Sequence, residues 1–342
     1  MSNGGSVIEV ESLSKRYGTV VAVDEVSFAV ARGEIFGILG PNGAGKTTTL
    51  EMIEGLRRPD RGSVVVDGLP VWPNPAQVKR RIGVQLQATA LFEYQRLWEI
   101  IHVFGSCYGL RRSKRECVSL LERVGLGDKV EAYAGELSGG QAQRLSIALA
   151  LVNDPVVTFL DEPTTGLDPR ARRALWDVIR EINATGTTIV LTTHYMEEAE
   201  RLCERVAVMD AGRVMALAAP RALINELGAQ ATVTFTLSDA VPVADLCGLP
   251  GVTDCRSADG SGYTLVADDA QRLVVALLEM AGERGLAIDN LDVKGANLED
   301  VFLRLTGRTL AQDEGDEGAA ADASLSTGRP SRRRLGLGRR RG

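Results

Sequence analysis

One octapeptide narrows the folds open to this chain more than any other feature: Gly40-Pro41-Asn42-Gly43-Ala44-Gly45-Lys46-Thr47 matches the phosphate-loop pattern GxxxxGK[ST] in full. Such a loop needs a strand before it and a helix after it, because its backbone N–H groups must converge on a phosphate at the positive end of a helix dipole. Both flanks are present. Glu34-Ile35-Phe36-Gly37-Ile38-Leu39 reads as a mostly apolar strand, and Thr48 onward reads as a helix that Arg57-Arg58-Pro59-Asp60-Arg61-Gly62 stops. In this arrangement Lys46 reaches the β- and γ-phosphates as a point charge, and the Thr47 hydroxyl ligates Mg²⁺.

The rest of the chain supplies a frame for that loop. Short β-rich runs at 7–10, 20–23 and 26–30 predict a small antiparallel sheet, another strand is expected at 64–66, and the pattern turns helical from about 88 to 152. The apolar run 156–160 predicts a strand buried on both faces of a parallel sheet, on a strand neighbouring that of the phosphate loop, with Asp161-Glu162 at its carboxyl end. A helix at about 170–183, a strand at 187–192, another helix and a strand at 206–209 complete a βαβ alternation, hence an α/β core. Beyond Pro220 a smaller α+β unit is expected, with helices near 221–227, 270–283 and 298–305 and strands near 232–237, 263–266 and 287–293. The expected division is 1–220, containing the helical subdomain, then 221–309, then a tail over 310–342. That tail carries Asp313-Glu314-Gly315-Asp316-Glu317 and then seven arginines, a composition that predicts disorder.

Composition enters only as a filter. The length of 342 residues suits two domains, and a net charge of −6 argues against a nucleic-acid surface. No apolar run reaches 18 residues and MSNGGSVIEV is not a leader pattern, so a cytoplasmic protein is expected. Cys107, Cys117, Cys203, Cys247 and Cys255 lack CxxC spacing, which points to reduced thiols.

Three further constellations carry chemistry. Asp161, at its strand end, suits Mg²⁺ held through water, and Glu162 suits a base for the attacking water. His194 closes Leu191-Thr192-Thr193-His194, where an imidazole can hold a γ-phosphate and a water in line, whereas His102 in a helical apolar stretch reads as a packing residue. Leu137-Ser138-Gly139-Gly140-Gln141 opens a helix with Leu145, Ala148, Leu149 and Val152 on one apolar face, a second anion-binding start but without a lysine.

In this order, the phosphate loop, Leu-Ser-Gly-Gly-Gln, Asp-Glu-Pro-Thr-Thr-Gly-Leu-Asp and the strand-end histidine closely resemble the nucleotide-binding subunit of an ATP-binding cassette (ABC) transporter, over about residues 7 to 220. The resemblance implies a P-loop NTPase core with a mostly parallel sheet, an antiparallel β subdomain and a helical subdomain. It implies two subunits pairing head to tail, with Ser138, Gly139 and Gly140 of one copy on the γ-phosphate held by Gly40, Asn42, Gly43, Gly45, Lys46, Thr47 and Thr48 of the other. Tyr17 falls where that family stacks an aromatic ring on adenine, and Asp168 where a loop crosses the dimer interface; Asp168 also suits a helix cap before Pro169. Gln87 fits the glutamine that ligates Mg²⁺ and senses the membrane partner, with Gln85 as the alternative. Tyr94-Gln95-Arg96-Leu97-Trp98-Glu99 departs from the segment that the family usually shows there.

The ending 297–308 looks like that of bacterial exporter ATPases of the drug-resistance type, with Leu298, Val301, Phe302 and Leu305 expected to pack the core of the smaller unit. The implied function is an ATPase that energises an integral-membrane permease on a separate chain, exporting drug-like or lipid-like molecules, peripheral on the cytoplasmic face of the membrane. The second reading is a soluble cassette ATPase of translation or DNA maintenance. One phosphate loop, one signature stretch and no heptad run weigh against it. A third class, a nucleotide-binding regulator without turnover, shares the motifs.

Overall fold

The computed structural model describes residues 5–85, 93–226, 230–257 and 262–307. Gln87 and the tail 310–342 therefore lie outside the described residues.

The chain opens with two long antiparallel strands, β1 (Ser6–Tyr17) and β2 (Val20–Ala31), which β4 (Arg61–Val66) and β5 (Leu69–Pro70) extend into a sheet of order β2-β1-β4-β5. The sequence pattern predicted a gap between 23 and 26. Instead, β2 runs through it, because Ser12 and Glu25 take positive φ and the pairing shifts register there. The hydroxyls of Ser27 and Ser14 accept the freed N–H groups of Ser12 (2.8 Å) and Glu25 (3.1 Å), so the irregularity leaves no donor stranded.

A second sheet is built from β3 (Ile35–Leu39), β6 (Ile82–Val84), β7 (Val157–Asp161), β8 (Thr188–Thr193), β9 (Arg205–Asp210) and β10 (Arg213–Ala218), in the order β10-β9-β3-β8-β7-β6. All neighbours are parallel except β10, which pairs antiparallel with β9 and which the sequence pattern did not suggest. This order corrects one expectation. The strand that ends in Asp161 does not neighbour β3; β8 lies between them, so the His194 loop emerges between the phosphate loop and the carboxylates. Alternate residues serve opposite faces. Phe36, Ile38, Phe159 and Val190 pack toward β1, β2, β4 and α1 (Lys46–Ile53), whereas Ile35, Leu39, Leu160 and Leu191 pack toward the helices.

Those helices are α3 (Leu97–Cys107), α4 (Lys114–Arg123), α5 (Gly139–Ala150), α6 (Pro169–Ala184), α7 (Met196–Leu202) and α8 (Pro220–Glu226), while the short α2 (Pro75–Lys79) leads into β6. His102 is exposed on α3 with Nδ1 2.8 Å from the Arg112 carbonyl oxygen, so it is not a packing residue; the apolar side of α3 is carried by Leu97, Ile100 and Ile101.

The last sheet, β12-β13-β11-β14, contains β11 (Ala231–Leu237), β12 (Val252–Ser257), β13 (Gly262–Ala267) and β14 (Ile288–Lys294). Helices α9 (Val243–Cys247) and α10 (Ala270–Arg284) cover one of its faces through Leu246, Leu273 and Leu277. A disulfide joins Cys247 to Cys255 across this unit, where scattered cysteines had suggested free thiols. The two cysteines are 8 residues apart and meet because α9 folds back onto β12. The final helix, α11 (Leu298–Thr306), corrects another expectation: Leu298, Val301 and Phe302 are buried in the core of the helical side of the central sheet, not in that of the last sheet. Asn297 caps α11, and the Leu298 N–H donates to Glu200 Oε1 of α7 at 2.6 Å, so the chain end is pinned back onto the central body.

Candidate functional site

At the carboxyl end of β3 the chain turns through Gly40 to Gly45 into α1. A Cβ on Gly40 would lie 2.3 Å from the Met209 carbonyl oxygen, and one on Gly45, at φ +96°, would lie 2.4 Å from that of Ala22. The tight loop thus depends on glycine at both positions. Lys46, 4% exposed, folds back over it: Nζ donates to the carbonyls of Gly40 (2.9 Å) and Pro41 (3.1 Å) and sits 3.3 Å from Glu162 Oε1.

Opposite the loop stand the ends of β7 and β8. Thr47 Oγ1 donates to Asp161 Oδ1 at 3.3 Å, and the Thr192 hydroxyl donates to the same oxygen. The Glu162 N–H donates to Thr192 Oγ1 at 3.0 Å, and Glu162 holds φ +46°, a left-handed backbone uncommon for a residue with a side chain. That turn aims the carboxylate at His194, whose Nδ1 is 3.2 Å from Glu162 Oε2; Thr165 Oγ1 donates to the same oxygen at 3.1 Å. Contact with His194, supported by the Lys46 charge, outweighs burial and draws the Glu162 carboxyl down to about 2. Behind α1, Glu54 shows the reverse. Burial, reinforced by Asp161 and Glu51, pushes its carboxyl up to about 8.

A cavity of about 440 Å³ is lined by Thr47, Gln85, Gln143, Asp161, Glu162 and Thr165. Gln85 is 6% exposed and its Oε1 has no hydrogen-bond partner among the described residues. Of the two glutamines that the sequence left open, Gln85 is therefore on this cavity, and Gln87 falls outside the described residues. Thr47 Oγ1, Asp161 and the Gln85 amide form an all-oxygen donor set, which fits a hard divalent cation held mainly by phosphate oxygens. Among the described residues no three His, Cys, Asp or Glu side chains form a metal cage.

Ser138, Gly139, Gly140 and Asp168 do not reach this cavity. With Gln141, Arg144, Gly166, Leu167 and Ala171 they line another, of about 330 Å³. Ser138 is the N-cap residue of α5, with its N–H bonded to Gln141 Oε1 at 3.0 Å, while Asp168 Oδ1 accepts from the N–H groups of Arg170 and Ala171, both at 2.9 Å. Tyr17 ends β1, 40% exposed, with Arg57 5.2 Å and Lys15 5.9 Å from its ring centroid.

Sequence reasoning missed Thr192, Thr165, Gln143 and Arg144. Thr192 carried a signal, since it precedes His194 on a strand end. Gln143 and Arg144 had the helical offset from Gly140 that puts them on α5, yet which cavity each faces follows only from how α5 packs.

Residues 23–165 match a family described as ABC transporter. The chain is 44% identical over 309 residues to "Nod factor export ATP-binding protein I" of Paraburkholderia xenovorans, covering 89% of this chain and 98% of that one. It is 42% identical over 310 residues to the protein of the same name from Mesorhizobium japonicum, covering 89% and 88%. Among solved structures, an ATP-binding subunit of an ABC transporter superposes with a TM-score of 0.58 at 32% identity, covering 65% of this chain and 94% of that one. The dimeric ABC transporter cassette MJ0796 does so with a TM-score of 0.56 at 26% identity, covering 62% and 98%.

Proposed function

The chain belongs to the ABC transporter family as an ATP-binding subunit, and from that premise we propose how its residues divide the work of ATP hydrolysis. It is an ATPase that energises a separate membrane permease. We propose that the Gly40–Thr48 loop, with Lys46, holds the phosphates, that Tyr17 stacks on the adenine, and that Glu162 accepts the proton of the attacking water, which His194 holds in line. Mg²⁺, bound by Thr47, Asp161 and a glutamine, would supply Lewis acidity at the phosphates. The observation that carries this reading is the Glu162 carboxylate held between Lys46 and His194, beside the Thr47–Asp161 contact.

The same contacts suggest how the base is switched on. A carboxylate drawn down to about 2 is a weak base. Phosphate oxygens compete with Glu162 for His194, its main partner, and for the Lys46 ammonium; as both turn to them, the contacts that hold the carboxyl down weaken and Glu162 becomes more basic. The Ser138–Gly140 turn then serves a second copy, head to tail, because Thr47, Asp161 and Glu162 of its own protomer line a different cavity. A dimeric cassette among the structural relatives supports this arrangement.

Export is the direction named for the Nod factor proteins, and it extends here to a permease carrying drug-like or lipid-like cargo. No helix among the described residues is long and apolar enough to cross a membrane. The chain would accordingly sit on the cytoplasmic face through its permease, with residues 221–309 as an accessory unit. The test mixes a Lys46→Ala subunit with a Ser138→Arg subunit. One competent site per heterodimer should restore about half of wild-type turnover; no recovery would rule out a shared site. Recovery of the native protein with ribosomes or DNA rather than a polytopic membrane protein would overturn the transporter role.

A further inference from the structure

Helix α6 links the Ser138–Gly140 cavity to the segment that carries His194. Its first turn stands against the Ser138–Gly140 turn: a Cβ on Gly140 would lie 3.3 Å from the Ala171 Cβ, and Asp168 and Ala171 line that cavity. One residue further on, the Arg172 guanidinium lies 4.1 Å from the centroid of the Tyr195 ring, which is itself 4.1 Å from the His194 ring. The Nε of Arg172 is buried without an acceptor, which leaves the ring face as its directional contact among the described residues. A turn later, Trp176 Nε1 donates to Glu198 Oε1 at 2.9 Å, with Trp176 3% and Glu198 0% exposed. Burial raises the Glu198 carboxyl, while the Trp176 hydrogen bond and the nearby hydroxyls of Thr193 and Thr164 work against that rise. Thr164 follows the catalytic carboxylate and Thr193 precedes the histidine, so three segments of the site converge on one buried acid.

We propose that Arg172, Tyr195 and the Trp176–Glu198 pair are positioning residues for hydrolysis: they lock the His194 loop to α6, so that a second copy seated on the Ser138–Asp168 cavity sets the placement of His194 in the other cavity of the same protomer. The inference rests on the two-copy reading given above. Its physical basis is rigidity. A buried hydrogen bond and a stacked cation, one helical turn apart, leave the loop little freedom to move unless α6 moves with it. The contacts are directional as well, so the loop follows rotation of α6 and not merely its translation.

The experiment uses the full chain and follows ATPase rate against ATP concentration, together with thermal melting. Arg172→Ala and Tyr195→Ala should each lower kcat about tenfold, leave KM within about twofold and bring the Hill coefficient toward unity. The double variant should lose no more than either single one, because both remove the same contact. Tyr195→Phe keeps the ring face and Arg172→Lys the charge, and both should recover most of the rate. Unchanged kcat, additive losses, or loss of rate that tracks a lower melting temperature without rescue by Tyr195→Phe would overturn the proposal. Absence of turnover in the wild-type chain would instead sink the ATPase reading on which it stands.

Discussion

The two glycine turns of this chain, Gly40–Gly45 and Ser138–Gly140, both lead into the start of a helix, yet their glycines exist for different reasons. In the first, the chain itself demands them: side chains at Gly40 and Gly45 would run into the carbonyls of Met209 and Ala22. In the second, a Cβ on Gly139 would meet nothing within 4 Å, and neither Gly139 nor Gly140 has a positive φ. A helix start with open space gains nothing from glycine on its own account. Its smallness has a purpose only for something that approaches from outside. The charges differ too, since the first turn has Lys46 against the carboxylate of Glu162, whereas the cavity of the second is lined by Arg144 and Asp168 and has no lysine.

This difference can be broken by substitution. The largest effect belongs to the complete turn: Glu162→Gln should lower kcat by about 10³ while leaving ATP affinity near that of wild type, measured by phosphate release and nucleotide titration. Full turnover by this variant would remove Glu162 as the base. Next, Ser138→Arg should lower kcat about 100-fold with ATP binding by the isolated subunit unchanged. A matching loss of affinity would mean that the turn serves its own protomer.

The glycines themselves then sharpen the contrast. Gly45→Ala should cost about 2 kcal/mol of folding stability through left-handed strain and the carbonyl contact, whereas Gly139→Ala should be neutral to folding and still depress turnover. Denaturant melts of the two variants decide it, and equal destabilisation would erase the distinction drawn here. The smallest effect lies behind α1. Glu54 has a folded pKa of about 8 against 4.5 for the free side chain, so its contribution to stability is complete below the lower value and is lost as pH rises through the upper one. Melting between pH 6 and pH 9 should show wild type weakening, and Glu54→Gln should flatten that slope. An unchanged slope would place the alkaline sensitivity elsewhere.

Much of the site was legible because it is written in short local runs. GPNGAGKT, LSGGQ, DE and the strand-end TTH each declare their neighbours by chain order, and the first brings Lys46 and Thr47 to the head of α1 without tertiary help. What escaped notice depends on contacts between distant segments. Thr192 matters because β8 lies beside β7, not because of its own spacing; Gln85, which the sequence offered as the alternative to Gln87, lines the cavity because β6 ends there. His102 looked apolar in its run but lies on the exposed side of α3, and the pairing of Cys247 with Cys255 depends on α9 folding onto β12. The helical spacing of α11 was plain in the sequence, yet periodicity says only that a face is buried, not against what; the answer was the central body.

By itself, then, the sequence determined that this chain has a strand–loop–helix of the phosphate-loop pattern, carboxylates and a histidine at strand ends, and a second glycine-bearing helix start lacking a lysine. These are properties of a few consecutive residues, fixed by backbone geometry and side-chain chemistry. Only the tertiary structure decided that β8 stands between β3 and β7, that Thr47 and the Ser138–Gly140 turn line separate cavities, and that α6 runs from the second of these to the His194 loop. Strand order and helix docking are chosen by apolar faces that fit together over long sequence separations, and a residue's own neighbours in the chain do not encode which face it will meet.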